Sequence, residues 1–229
     1  CSGSTYLKPR FAIISSTGAS VVKTVFAKAR AHAFAFSPSL VITDRPCAAA
    51  EFATQHNIPH ERVSGPRSAT TSDEILSELQ RHEIEFAYVF YSRMLGDALI
   101  EQYRGRLINF HPSMLPAHPG LRGFEDSVSS KSLLIGTTIH VVDAGMDSGT
   151  QLLQTVTSSR GTKDVASLRH IVFAQQCASL YQIHTWITSG SLTLTPLKFS
   201  DSIQFILREG FCPAISAEAL QLYEELLSG

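Results

Sequence analysis

Short runs of β-branched and aromatic residues recur along this chain, and stretches of about 10–15 residues with helical character separate most of them. The runs Phe11–Ser15, Leu40–Thr43, Phe86–Tyr91, Leu107–His111 and Thr137–Val142 read as strands. Parallel neighbours need a crossover between them and a helix is the compact way to make one, so the alternation implies a Rossmann-like α/β fold. The expected architecture is a mostly parallel twisted sheet with helices on both faces. Val21 to Phe36, free of Pro and Gly, suits the first crossover helix. Pro46 opens a second candidate ending near Asn57, since proline is tolerated in a first turn, and Asp73 is placed to cap a third running to His82. A longer helix is expected over Asp164–Thr188, with Gly190 as its stop and with Gln175 and Gln176 interrupting its apolar stripe. Beyond it lie a candidate strand at Leu192–Leu197 and a terminal helix at Ala217–Leu227. In such a sheet ligands collect at the carboxyl ends of the strands, which singles out the loops after Ser15, Tyr91, His111 and Val142.

Composition narrows the class of partner. The 229 residues are 44% hydrophobic and 17% charged, enough apolar content for a folded core, and 19 Lys+Arg against 20 Asp+Glu leave a net charge of −1. A protein whose main partner is nucleic acid would show a basic stripe, which this chain lacks. No apolar run approaches the roughly 18 residues needed to cross a bilayer, and the first residues lack a signal-peptide core. The cysteines at 1, 47, 177 and 212 form no paired motif and read as free thiols in a reducing, cytoplasmic setting. A single domain over 1–229 is expected, with a tail over 1–10 and an extension over about 200–229, as a monomer or homodimer.

The chemistry is concentrated in two segments. Asn109-Phe110-His111-Pro112-Ser113-Met114-Leu115-Pro116 ends a strand, and alternation puts Asn109 and His111 on one face at its carboxyl end. Prolines at 112, 116 and 119 with Gly120 stiffen the loop that follows. The second segment, from Gly136 to Gly149, is a strand leading to a loop with two aspartates, of which Asp147 is far enough along to return beside His111 after one crossover to a neighbouring parallel strand. His140 reads as an inward-facing strand residue, and Asp143 as either a loop cap or a ligand contact. The histidines at 32, 56, 60, 82, 118, 170 and 184 show no metal-ligand spacing and read as surface or packed residues, so no metal is expected.

These segments resemble the 10-formyltetrahydrofolate-dependent formyltransferases, and within them the glycinamide ribonucleotide (GAR) transformylases. The family's Asn-x-His-Pro-Ser-Leu-Leu-Pro is matched at Asn109 to Pro116, and its Gly-x-Thr-x-His-x-Val-x-x-x-x-Asp-x-Gly at Gly136, Thr138, His140, Val142, Asp147 and Gly149. The resemblance implies formyl transfer from 10-formyltetrahydrofolate to a small-molecule amine, as in purine biosynthesis, with Asn109, His111 and Asp147 catalytic. It also implies folate contacts at Arg93, Met94, Leu95, Ile100, Val142, Asp143 and Gly145, and acceptor contacts at Gly18, Ala19, Ser20 and Pro112.

The acceptor side departs from the family. A Gly-Ser-Asn turn that holds the ribonucleotide phosphate is here Gly18-Ala19-Ser20, and the family's arginine before the third helix falls in Ser68-Ala69-Thr70-Thr71, with Arg67 offset. A lysine and a glutamate expected after Gly190-Ser191-Leu192 are missing, with Lys198 an unaligned substitute, and Arg122, Gly123 and Phe124 follow the proline loop in place of histidines. GAR is the family default; these changes lead to the expectation of a rewritten acceptor pocket for another amine, such as an amino sugar or modified amino acid. Hydrolysis of the folate and folate binding without catalysis are the alternatives on the same fold. Pro112 directly after His111 and the intact trio argue against each in turn.

Overall fold

A computed structural model describes residues 8–29, 34–65, 68–160 and 164–228. Cys1, His32, Arg67 and most of the expected N-terminal tail lie outside the described residues.

The chain begins with β1 (Phe11–Ser15), α1 (Ser20–Ala29), β2 (Leu40–Thr43), α2 (Ala48–Gln55), β3 (His60–Arg62), α3 (Ser68–Arg81), β4 (Phe86–Phe90), α4 (Asp97–Gln102) and β5 (Leu107–His111). It continues with α5 (Gly123–Ser129), β6 (Leu134–Ile135), β7 (Thr138–Val141), β8 (Gln151–Thr155), β9 (Thr157–Ser158) and α6 (Val165–Thr188). A hairpin of β10 (Leu192–Leu194) and β11 (Leu197–Phe199), then β12 (Phe211–Cys212) and α7 (Ala217–Ser228), complete it. The main sheet runs β12-β8-β7-β5-β4-β1-β2-β3. It is parallel from β3 through β5 and antiparallel from β5 through β7, β8 and β12. The expectation that the strand leading to Asp147 runs parallel to the His111 strand is thus corrected: β7 lies beside β5 but runs against it, so the intervening segment is a return rather than a crossover.

Each layer follows from its residues. β1 is buried at every position, as a central strand covered on both faces must be. On one face, Val21, Val22 and Val25 of α1, Phe52 of α2, Ile183 of α6 and Leu222 of α7 share a core with Phe11, Ile13 and Tyr88. On the other, Ile75 and Leu79 of α3 and Leu99 of α4 cover Ala12, Ile14, Val89 and Leu107. The helix α6 is buried nearly all round, between the sheet, α1 and α7. That is why its apolar stripe is interrupted at Gln175 and Gln176, of which Gln175 is itself buried. Its start agrees with the expected cap: Asp164 accepts a hydrogen bond from the Ser167 amide at 2.7 Å.

Other boundaries moved for local reasons. α1 ends at Ala29 rather than Phe36; Phe34 and Phe36 lie outside the helix and pack with His184. α3 begins at Ser68, so Asp73 is interior to it and not its cap. The candidate strand at 192–197 is two strands, because Thr195 and Pro196 form the turn between them, and proline cannot supply a ladder N–H.

Candidate active site

Along β5, Leu107 lies in the core beneath α4, and Asn109 and His111 continue that same face past the end of the helical cover. In the antiparallel register Asn109 sits opposite His140 and His111 opposite Thr138. Three hydrogen-bonding side chains therefore share one patch of sheet. Because β7 runs against β5, the chain leaves β7 pointing away from His111, and the loop after Val142 must double back to bring Asp147 to the imidazole. Gly149 makes that return possible: a Cβ there would lie 1.7 Å from the Val141 carbonyl oxygen.

Asp147 sits at φ 52, in the left-handed region, and its Oδ2 accepts from the Gly120 amide at 2.7 Å. The same oxygen is 3.3 Å from Nδ1 of His111, and its Oδ1 is 3.6 Å from Nε2 of His140. His140, the Gly120 amide and His111 together outweigh the effect of burial and hold the Asp147 carboxyl at about 2. Asp147 is ionised at any physiological pH.

The ring contacts of the two histidines differ. Nε2 of His111 is 2.8 Å from the His118 carbonyl oxygen, which can only accept, so that nitrogen carries a proton. The other ring nitrogen, Nδ1, faces Asp147. His140 ties the group together: its Nδ1 is 3.0 Å from the Val141 carbonyl, and its Nε2 stands between the Asn109 amide group at 3.1 Å and the Asp147 carboxylate. This orients the Asn109 side chain. His140, expected from sequence to be an ordinary packed strand residue, is thus a member of the cluster, and its place in the second motif was the signal for it.

The cluster forms the floor of a cavity of about 310 Å³. Each side chain the resemblance assigned to folate lines it: Arg93, Met94, Leu95 and Ile100 on one wall, Val142, Asp143 and Gly145 on the other, with Pro112 at the edge. Their environments differ. Leu95 is buried against the core, whereas Met94 and two residues not singled out from sequence, Leu121 and Met146, stand exposed at the mouth. Asp143 is occupied as a loop cap, accepting from the Gly145 amide at 3.1 Å and the Ser148 hydroxyl at 2.8 Å. Tyr91 also lines the cavity; its hydroxyl has no partner among the described residues, and burial pushes it up to about 12.

Gly18, Ala19 and Ser20 do not line this cavity. They form the turn from β1 into α1, next to the start of α2, with Gly18 facing Ala48. Strand order reverses between β1 and β4, so this turn and the segment after β4 flank the crevice where doubly wound sheets take ligands. There the buried carboxylate of Asp44 is paired with Arg45 through two bonds of 3.0 and 2.8 Å and with Arg93 at 3.2 Å. Burial pushes the Asp44 carboxyl up, but Arg45, Ser16 and Arg93 bring it below the usual carboxylate range.

The sequence model described as formyl transferase matches residues 9–180. The chain belongs to the formyl transferase family. The phosphoribosylglycinamide formyltransferase of Bacillus subtilis is 33% identical to it over 150 residues, which is 63% of this chain and 77% of that protein. A Mycobacterium tuberculosis protein of the same name is 34% identical over 115 residues, 48% of this chain and 54% of its own length. The crystal structure of phosphoribosylglycinamide formyltransferase from Bacillus halodurans superposes with a TM-score of 0.73 at 28% identity, covering 79% of this chain and 96% of that one. These formyl transferase relatives do not favour the expected departure from a ribonucleotide acceptor. Among the described residues no helix is long and apolar enough to cross a membrane.

Proposed function

We propose that the chain transfers the formyl group of 10-formyltetrahydrofolate to the primary amine of glycinamide ribonucleotide. One observation carries the reading: Asn109, His111, His140 and an ionised Asp147 converge at the floor of a mostly apolar cavity in a chain of this family.

The cavity takes the flat folate ring between apolar walls, with the polar backbone of the 142–145 loop facing its donor and acceptor edge. Attack of the amine forms a C–N bond and places negative charge on the formyl oxygen. The side-chain amide of Asn109 and a proton on Nδ1 of His111 are the donors for that charge. Asp147 holds the His111 ring in place and draws the proton from the attacking nitrogen, directly or through water. Breaking the bond from the formyl carbon to N10 of the folate returns one proton to that nitrogen, so the exchange balances without a redox partner.

For the acceptor, the amides of the Gly18–Ser20 turn meet the ribonucleotide phosphate at the start of α1, as helix N-termini do for anions. The two arginines on Asp44 carry the positive charge that the missing family side chains leave unsupplied. The test is incubation with 10-formyltetrahydrofolate and a panel of amines that includes glycinamide ribonucleotide, following folate absorbance. Amine-dependent turnover fastest on the ribonucleotide is expected. Turnover on another amine alone, or formate release without any amine, would overturn the assignment.

A further inference from the structure

Gln175 and Gln176 break the apolar pattern of α6, and the structure shows what they do. The side chain of Gln175 is buried, with 1% of the residue exposed. Its Oε1 accepts from the Thr155 hydroxyl at 2.9 Å, and the Thr155 oxygen in turn accepts from the Thr137 amide at 2.8 Å. The Thr137 hydroxyl donates to the carbonyl of His111 at 2.6 Å. Gln176 adds two longer contacts, to the Phe110 carbonyl at 3.4 Å and the Thr137 hydroxyl at 3.3 Å. On the far side Gln175 faces Tyr223 of α7, whose ring packs on Phe211 of β12, the residue paired with Thr155. Thr137 and Thr155 are as inaccessible as Gln175.

We infer that Gln175 is a positioning residue for His111, the centre of a buried hydrogen-bonded chain that ties α7 and β12 to the carboxyl end of β5. Residues 181–229 fall outside the stretch matched by the family model, so this chain couples a segment beyond the shared core to the reacting end of the sheet. Thr137, Thr155 and Oε1 of Gln175 are linked one to the next, which makes the arrangement rigid and makes loss of any one of them costly to the others. Movement of the His111 carbonyl displaces the imidazole from Asp147 and from the reacting carbon, where a shift of about 1 Å is enough to slow chemistry. The effect belongs in the chemical step and not in substrate binding, because Gln175, Thr155, Thr137 and Tyr223 do not line the cavity.

The inference rests on the formyl transfer proposed above, and the experiment separates the two. With wild-type turnover established, Gln175→Met and Thr155→Val are each expected to lower kcat roughly tenfold and leave both KM values within about twofold. Thr155→Ser, which keeps the hydroxyl, is expected to retain the wild-type rate, and the Gln175→Met/Thr155→Val double variant to fall no further than either single one. Wild-type kcat in Gln175→Met, equal behaviour of the Ser and Val variants, or additive losses would each overturn it. If a core variant does not fold, Tyr223→Phe replaces it; a lowered kcat at constant KM supports the inference and an unchanged one sinks it. If the wild-type protein turns over no amine, the function reading fails. Amide hydrogen exchange then decides this one, with faster exchange over 107–113 in Tyr223→Phe supporting it and unchanged exchange refuting it.

Discussion

Asp147 owes its ionised state to its neighbours, and that gives it two separable consequences. The His111→Ala and Asp147→Asn variants are each expected to lose roughly 10²- to 10⁴-fold in turnover while remaining folded, checked by single-turnover kinetics beside circular dichroism. The carboxyl also links stability to pH. Its folded value of about 2 lies below the unfolded 3.8, so its contribution is complete above pH 3.8 and lost as pH falls through 2. The amount is roughly 2 kcal/mol, and Asp147→Asn should remove that part of the acid unfolding profile. Gly123 supports the same ring from behind. A Cβ at that position would stand 2.6 Å from Nε2 of His111, whose other contacts leave it nowhere to go. Gly123→Ala is expected to slow turnover about tenfold by tilting the imidazole, with a smaller change in melting temperature. Unaltered kinetics would mean that the ring has slack the geometry does not show. Alternation along one strand made the neighbourhood of Asn109 and His111 legible in sequence, whereas the trio with Asp147 came from the family resemblance. Gly123 was read only as a departure from the family pattern, since its reason lies in an imidazole twelve residues earlier.

Among the elements, α6 shows how far periodicity carries. Its ends were readable from Asp164 and Gly190, but the polar residues that break its apolar stripe were not explained by the pattern, because a helix buried on nearly every side has polar residues wherever a buried partner waits for them. His184 is the clearest case. Its Nε2 donates to the Ala35 carbonyl at 3.1 Å and its Nδ1 accepts from the Tyr88 hydroxyl at 3.0 Å, within a box that includes Phe11, Phe34 and Phe36. Burial lowers it from 6.5 to about 4, against the opposing pull of the Ala35 carbonyl. The neutral ring is the folded form, so above pH 6.5 it imposes no penalty. As pH falls from 6.5 to 4 the unfolded chain takes a proton that the folded one refuses, and stability drops by roughly 3 kcal/mol in all. Urea unfolding at pH 7, 5.5 and 4.5 should show this decline, and His184→Gln should flatten it. The same slope in that variant would assign the proton uptake to another group. This window lies above that of Asp147, so the two acid responses can be resolved in one titration.

For the molecule as a whole, the sequence pattern conveyed a doubly wound half correctly and said little about the other half. β1, β2, β4 and β5 are buried apolar runs with long helical connections, and such runs announce themselves. β8 is partly polar and follows β7 through a loop with no helix, β12 is two residues long, and neither direction is announced by a local preference. The consequence for function is a division of the site. The folate cavity is built where the antiparallel half meets the end of β4, and the acceptor turn lies one strand further on, at the reversal between β1 and β4. Arg45 stands on the acceptor side alone: it is held by Asp44, its own side chain is 47% exposed, and it does not line the folate cavity. Arg45→Ala is therefore expected to raise the KM for glycinamide ribonucleotide by roughly tenfold, the equivalent of about 1.4 kcal/mol, with kcat and the KM for folate unchanged. Inorganic phosphate should compete with the ribonucleotide and not with folate, and should compete less well in the variant. A rise in the folate KM, or equal phosphate inhibition of both proteins, would place the acceptor phosphate away from the end of β2 and return the search to the 68–71 segment at the start of α3.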